Sequence, residues 1–156
     1  MPGNGTKSCG TLNNCMPLKP IKLKPRIDKH VASLMKKKNA QQAAYFSRKI
    51  NKRIPELESI IVKHPEAALY YSENVLKKPW PEAEPIILKH LKIAYLYALF
   101  VKKKKWPEIE SFLKKWPREA FVYAKKILKK RWPEAEPYIK KDAQLYEEYK
   151  KYFKIK

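Results

Sequence analysis

The chain has 156 residues and a formal net charge of +21, and 44% of its residues are hydrophobic. This hydrophobic fraction excludes a wholly disordered chain and fits one domain with a modest core. The longest apolar run, residues 93–101, is too short to span a bilayer, and the N-terminus has no signal-peptide pattern. We therefore expect a protein that stays inside a cell or is packaged from inside one.

Residues 1–27 hold all three glycines, four of the prolines and both cysteines. This composition predicts an extended basic arm that is ordered only by a partner. Cys9 and Cys15 have no histidine nearby and make a poor zinc site. We interpret them as free thiols, with a small disulfide loop as the alternative in an oxidising particle.

A 26-residue repeat fills residues 28–156. Its columns are Tyr45, Tyr71, Tyr97, Tyr123 and Tyr149; Trp80, Trp106 and Trp132; and Pro55, Pro81, Pro107 and Pro133. The interval divides the chain into five units, at about 28–53, 54–79, 80–105, 106–131 and 132–156. The first unit has Lys29 in the proline column, which predicts an atypical capping repeat.

Each unit is predicted to form two short helices, because its apolar residues recur at helical spacing, as in Leu57, Ile60 and Ile61. Proline suits the first helical position, and the glutamates that follow it suit the positive end of the helix dipole. A further proline at 85 and 137 would remove an early hydrogen bond. In the copy with Pro85 we expect the first helix to begin near position 85, after a turn formed by the Trp-Pro-Glu segment.

The predicted fold is therefore all-α, with about ten short helices stacked as a small α-solenoid. Helices of this length are marginal alone and are stabilised by packing between neighbouring units.

The segment Arg131–Ile139, followed about ten residues later by a Tyr-Ala helix in other copies, resembles a known repeat. It is similar to the 26-residue tandem repeats of many bacteriophage and large DNA virus proteins. The resemblance covers roughly residues 28–156 and implies a viral origin. The chain departs from the family where an acidic Asp-Pro and an Arg-Asp are expected, because it has Lys63-His64-Pro65 and Lys125-Lys126 instead.

No catalytic, cofactor-binding or metal-binding residues are predicted. His64 and His90 share a column with Trp116 and Lys38, which favours a packing position over a ligand. The glutamate pairs are interpreted as partners of the helix dipole rather than as acid–base catalysts. The tyrosine column is interpreted as core or inter-unit packing, with base stacking as the weaker alternative.

The basic residues are unevenly distributed along the chain. Residues 1–53 carry thirteen Lys or Arg against one Asp, and residues 54–79 carry three against four Glu. Residues 80–131 carry fourteen Lys or Arg against five Glu. This local excess favours a docking surface over basic residues that only complement the helix dipoles, which would be evenly distributed. The predicted polyanion-binding candidates are Lys19, Lys22, Lys24, Arg26, Lys36, Lys37, Lys38, Lys102, Lys103, Lys104, Lys105, Lys129, Lys130 and Arg131.

These patterns, together with the viral origin that the resemblance implies, lead us to expect one of three functions. The first is a non-enzymatic structural protein of a virus particle, such as a minor capsid protein, that docks on other virion proteins or on the packaged genome. The second is a nucleic-acid-binding protein of the infected cell that contacts phosphates without reading sequence. The third is an adaptor for a host protein. A small-molecule substrate is not expected, and a membrane is the least favoured partner.

Overall fold

The computed structural model describes residues 23–155, and this part of the chain is entirely helical apart from its turns. Its α-helices are α1 (Leu23–Lys37), α2 (Ala40–Lys49), α3 (Pro55–Ile61), α4 (Pro65–Tyr71), α5 (Glu84–Leu88), α6 (Leu91–Tyr97), α7 (Pro107–Leu113), α8 (Pro117–Tyr123), α9 (Glu136–Ile139) and α10 (Ala143–Phe153). Helix α2 packs on α3 and α4, α4 on α5 and α6, and α8 on α9 and α10. The all-α prediction is confirmed, whereas the solenoid and the division into five units stay predictions.

Proline sets where the first helix of each unit begins. Pro55 and Pro107 occupy the first helical positions of α3 and α7, where the missing N–H has no partner to lose. In the alternate unit a 3₁₀ turn spans Pro81–Ala83 and α5 begins at Glu84. Helix α9 likewise begins at Glu136. The expected late start of the helix near position 85 is confirmed, and the structure shows the same late start in α9.

The second helices of the three inner units (54–79, 80–105 and 106–131) differ from those of the two outer units (28–53 and 132–156). Helices α4, α6 and α8 continue as π turns at Ser72–Leu76, Ala98–Lys102 and Ala124–Leu128. Helices α2 and α10 are α-helical to their ends. A π turn absorbs one additional residue without ending the helix. The inner second helices are therefore one residue longer between N-cap and C-terminal turn.

This additional residue corrects the predicted alignment of the first unit. The N-cap residues Asn39 and His64 are 25 residues apart, not 26. Phe46 therefore corresponds to Tyr71, and Tyr45 is displaced to the surface, where it is 60% exposed. Placing Tyr45 in the structural column was wrong because a constant interval cannot show a residue absorbed within a helix.

The predicted arm also ends earlier than expected. Helix α1 begins at Leu23, so residues 23–27 are helical and Pro25 lies in the first turn, where it removes no helical hydrogen bond. Residues 1–22, with Cys9, Cys15, Lys19 and Lys22, lie outside the described residues.

Tyrosine and tryptophan link successive units through the core. Tyr71, Tyr97, Tyr123 and Tyr149 are fully buried. The Tyr97 hydroxyl accepts a hydrogen bond from the backbone N–H of Trp80 in its own unit at 2.6 Å. Its ring packs on Trp106 of the next unit, with 5.6 Å between centroids. Equivalent N–H bonds join Trp106 to Tyr123 and Trp132 to Tyr149, both at 2.8 Å.

We call this alternation the Tyr–Trp ladder. Its ring contacts also include Tyr71 on Trp80 at 5.3 Å and Tyr123 on Trp132 at 5.5 Å. At its C-terminal end the Tyr149 ring contacts Phe153, at 4.7 Å, in place of a tryptophan. The predicted packing role of the tyrosine column is thus confirmed for the four buried members.

Candidate polyanion-binding edge

In each of the first four units, the second helix is followed by a three-residue turn that leads to the next unit. These turns are residues 51–53, 77–79, 103–105 and 129–131, and together we call them the inter-unit edge. The turns inside the units join the opposite ends of the same helices. The chain therefore presents two separate sets of turns, and their basic residues need separate consideration.

The first residue of each turn has a left-handed backbone. Asn51, Lys77, Lys103 and Lys129 have φ between 51° and 54°. Glycine is the usual residue at such a helix end because it lacks the Cβ that crowds the following carbonyl. Three of these four positions hold lysine instead, at a cost of roughly 1–2 kcal/mol each. A positive charge is thus present where the backbone alone would favour glycine.

In three of the four turns the third residue is basic and pairs with a glutamate five residues later. Arg53 forms two hydrogen bonds with Glu58, at 2.6 and 2.9 Å, and Arg131 forms two with Glu136, both at 3.0 Å. Lys105 and Glu110 form a looser pair at 3.6 Å. These carboxylates therefore offset much of the charge of the third turn position.

The unit with a proline in this position uses a different cation. Pro79 replaces the basic residue, and Glu84 is paired instead with Lys102 at 2.8 Å. The Lys102 ammonium also lies 4.3 Å from the centroid of the Trp106 ring, and its side chain is only 11% exposed. Although Lys102 is one of the predicted binding candidates, the structure places it in this internal contact.

The same glutamates accept hydrogen bonds from the Tyr–Trp ladder. The Tyr71 hydroxyl donates to Glu58 at 2.8 Å, and the Tyr149 hydroxyl donates to Glu136 at 3.2 Å. Arg53 holds the pKa of Glu58 below its usual value, with Tyr71 adding to the effect. Arg131 lowers the pKa of Glu136 in the same way. The interpretation of these glutamates as dipole partners alone was incomplete, because they join each turn to the core.

Six lysines of the inter-unit edge remain open to a ligand. They are Lys77, Lys78, Lys103, Lys104, Lys129 and Lys130. All six are exposed, and within residues 23–155 none of their ammonium groups lies within 4.0 Å of a carboxylate. The turns at 77–79 and 103–105 are adjacent in space, since Lys77, Lys78 and Lys103 line one groove.

Lys77 and Lys78 were absent from the predicted candidates. Their unit has four acidic residues against three basic ones, so a count of charge by unit conceals them. The 26-residue step from Lys103 and Lys104 back to Lys77 and Lys78 is the signal that would have found them.

The remaining predicted candidates lie elsewhere on the surface. Lys36, Lys37 and Lys38 are exposed at the end of α1, at the turn inside the first unit. Arg26 is exposed on α1, and Lys24 belongs to its first turn. The predicted candidates that lie within residues 23–155 therefore do not form one continuous surface.

The opposite edge carries the turns inside the later units, which hold basic residues singly or in pairs. These residues are Lys63, Lys89, Lys114, Lys115, Lys140 and Lys141. Lys140 and Lys141 lie over the rings of Tyr146 and Tyr138, at 5.3 and 5.6 Å from the ring centroids.

Two of the three histidines, His64 and His90, occupy helix N-caps rather than packing positions. His64 and His90 precede α4 and α6 and are exposed, so the packing interpretation was wrong for both. Their counterpart in the first unit is Asn39, not Lys38, and its side chain accepts a hydrogen bond from the Gln42 N–H at 3.0 Å. Among the described side chains, no group of three His, Cys, Asp or Glu could hold a metal ion.

No helix within residues 23–155 has the length and apolar character needed to cross a membrane. Comparisons with protein-family models, with curated proteins and with solved structures found no match to this chain. The resemblance to viral tandem repeats therefore stays a hypothesis from the sequence.

Proposed function

We propose that this chain is a non-enzymatic helical-repeat protein that binds nucleic acid through the phosphate backbone, using its inter-unit edge. The observation that carries the proposal is the set of six exposed lysines, two in each of three successive turns, without a carboxylate partner among the described residues. Lysine ammonium groups are compact charges that suit phosphate oxygens and do not select a base.

The spacing of the turns supports a uniformly charged partner. Packed helices lie about 8–10 Å apart, so successive turns present lysine pairs at a comparable step. A DNA duplex carries one charge per ~1.7 Å of axis, which offers several phosphates to each pair. If all six lysines contact phosphates of a duplex, log affinity should fall against log salt with a slope of about −5.

Two matched triple variants test the proposal. Lys78, Lys104 and Lys130 lie on the inter-unit edge, and all three are exposed. Changing them to Glu should abolish binding to a random duplex at low salt. Lys63, Lys89 and Lys115 are also exposed and 26 residues apart, but they lie on the opposite edge. Changing these three to Glu alters the net charge equally and should leave most of the affinity.

The readout is fluorescence anisotropy with a labelled duplex at several salt concentrations. Equal loss of affinity in both variants would mean that net charge, not the inter-unit edge, attracts the ligand. No binding by the unaltered chain at low salt would refute the proposal. A salt-insensitive, stoichiometric complex with a protein would favour the adaptor role instead.

The particle role is a proposal about where this binding occurs. It is supported by the resemblance of Arg131–Ile139 to viral repeats and by a basic surface that suits a packaged genome. Mass spectrometry of purified particles should find the chain at high copy number. Its absence from particles would leave the nucleic-acid proposal intact but would place the binding in the infected cell.

A further inference from the structure

Phe100 is an exposed aromatic side chain that packing does not explain. It is the third residue of the π turn Ala98–Lys102 and is 46% exposed. The third residues of the two other π turns are Asn74 and Lys126. Because a polar residue fills this position in both sibling turns, the fold does not require an apolar one there.

The ring lies in an open groove of about 530 Å³ between the turns of two successive units. The π turn at Ser72–Leu76 contacts the π turn at Ala98–Lys102 beside it. Lys77, Lys78 and Lys103 line the groove together with Phe100. We call these four residues the Phe100 groove.

We propose that the Phe100 groove binds single-stranded nucleic acid, with a base stacked on the Phe100 ring and the neighbouring phosphates on the three lysines. This inference rests on the proposed function and adds a preference for unpaired strands. In a duplex the faces of the bases are covered by their neighbours, whereas a single strand can place a base on an exposed ring. Stacking of this kind accepts every base, so it adds affinity without sequence selection.

An acidic peptide would also satisfy the three lysines. The edge, however, continues past the groove with Lys104, Lys129 and Lys130 at the repeat interval, all exposed. A partner with regularly repeated charge matches this arrangement better than one short acidic segment.

Glu73 is the acidic residue that lines the same groove. Its carboxylate opposes phosphate binding because like charges repel. We therefore expect Glu73→Gln to raise the affinity for a single strand. A loss of affinity in this variant would contradict the proposed path of the phosphates.

The central experiment compares three labelled ligands by anisotropy at one salt concentration. They are an oligothymidylate, an abasic strand of the same length, and a duplex of that length, each about 12 nucleotides or base pairs long. Phe100→Asn is the test variant, since Asn74 shows that the π turn accepts this residue. Tyr45→Asn removes another exposed aromatic ring, on α2, and is the control.

Phe100→Asn should weaken oligothymidylate binding by about 5- to 100-fold and leave abasic-strand and duplex binding nearly unchanged. Phe100→Trp should restore oligothymidylate binding, and Tyr45→Asn should bind as the unaltered chain does. If the unaltered chain binds no nucleic acid, the proposed function and this inference are both refuted. Binding in which Phe100→Asn affects no ligand, or all three equally, would overturn the inference alone. An acidic peptide that displaces the abasic strand but does not displace oligothymidylate would also overturn the inference, because the two strands would then occupy different sites.

Discussion

The left-handed lysines should make the chain less stable than it could be. Lys77, Lys103 and Lys129 hold φ of 53°, 51° and 54°. In the left-handed backbone region, a Cβ atom raises the free energy of the folded state by roughly 1–2 kcal/mol. Replacing the residue with glycine removes this cost, but the greater entropy of glycine in the unfolded chain offsets about 0.5–1 kcal/mol of the gain. A change from alanine to glycine at each position should therefore stabilise the fold by about 0.5–1 kcal/mol.

The test compares a triple glycine variant with a triple alanine variant at these three positions. Both lose the same three charges, so the difference between them isolates the Cβ. The sites are 26 residues apart, and additive effects predict a difference of about 2 kcal/mol. Urea unfolding followed by circular dichroism should place the glycine variant about 1 M higher in midpoint, with an unchanged slope.

The same two variants also test the binding proposal. Both should lose duplex affinity to the same extent, because each lacks half of the six open lysines. A glycine variant no more stable than the alanine variant would refute the assignment of backbone strain. A glycine variant that binds as tightly as the unaltered chain would refute the role of these lysines in binding.

Three further outcomes follow from the core. Tyr123→Phe leaves the buried backbone N–H of Trp106 without its acceptor and should lower the free energy of unfolding, measured in urea, by about 1–3 kcal/mol. Tyr45→Phe, at an exposed ring, should have no effect. Burial raises the pKa of Tyr71 and Tyr123 above the usual 10.0, so their contribution is complete below pH 10 and should be lost as pH rises beyond it. Because the pKa of Glu136 is lowered in the folded state, its ionised form stabilises the fold above pH 4.5, and this stabilisation should be lost as the pH falls. Thermal unfolding at several pH values should show the loss, and Glu136→Gln should reduce the dependence of the melting temperature on acidic pH. The same acid dependence in this variant would contradict the prediction.

Much of the fold could be predicted from the sequence because the repeat shows which residues face the core. The proline columns predicted where α3 and α7 begin, and the second proline at 85 predicted the later start of α5. The alignment of the first unit failed because the π turns absorb one residue, and Tyr45 and Phe46 are adjacent aromatic residues that the pattern cannot distinguish.

The site was less predictable because neighbouring lysines have different environments. Lys102 and Lys103 are adjacent in a run of four lysines, yet Lys102 contacts Glu84, whereas Lys103 follows the π turn as its left-handed C-cap. This difference depends on Pro79, which leaves Glu84 without the turn partner that Arg53 gives Glu58. Charge counting cannot show this difference, since Lys102 and Glu84 are 18 residues apart, at the two ends of one helix pair.

The Tyr–Trp ladder gives the two units at 80–105 and 106–131 the same kind of junction on both sides. Units 80–105 and 106–131 each receive a ring contact from the unit before and offer the same contact to the unit after, as Tyr97 does to Trp106. A duplicated segment 80–105 should therefore fit between its neighbours without redesign of either junction. Such a chain would lengthen in whole steps, and each step would add one more pair of lysines to the inter-unit edge. Gene duplication would thus extend this charged edge in fixed increments while the ring contacts of the flanking units are retained.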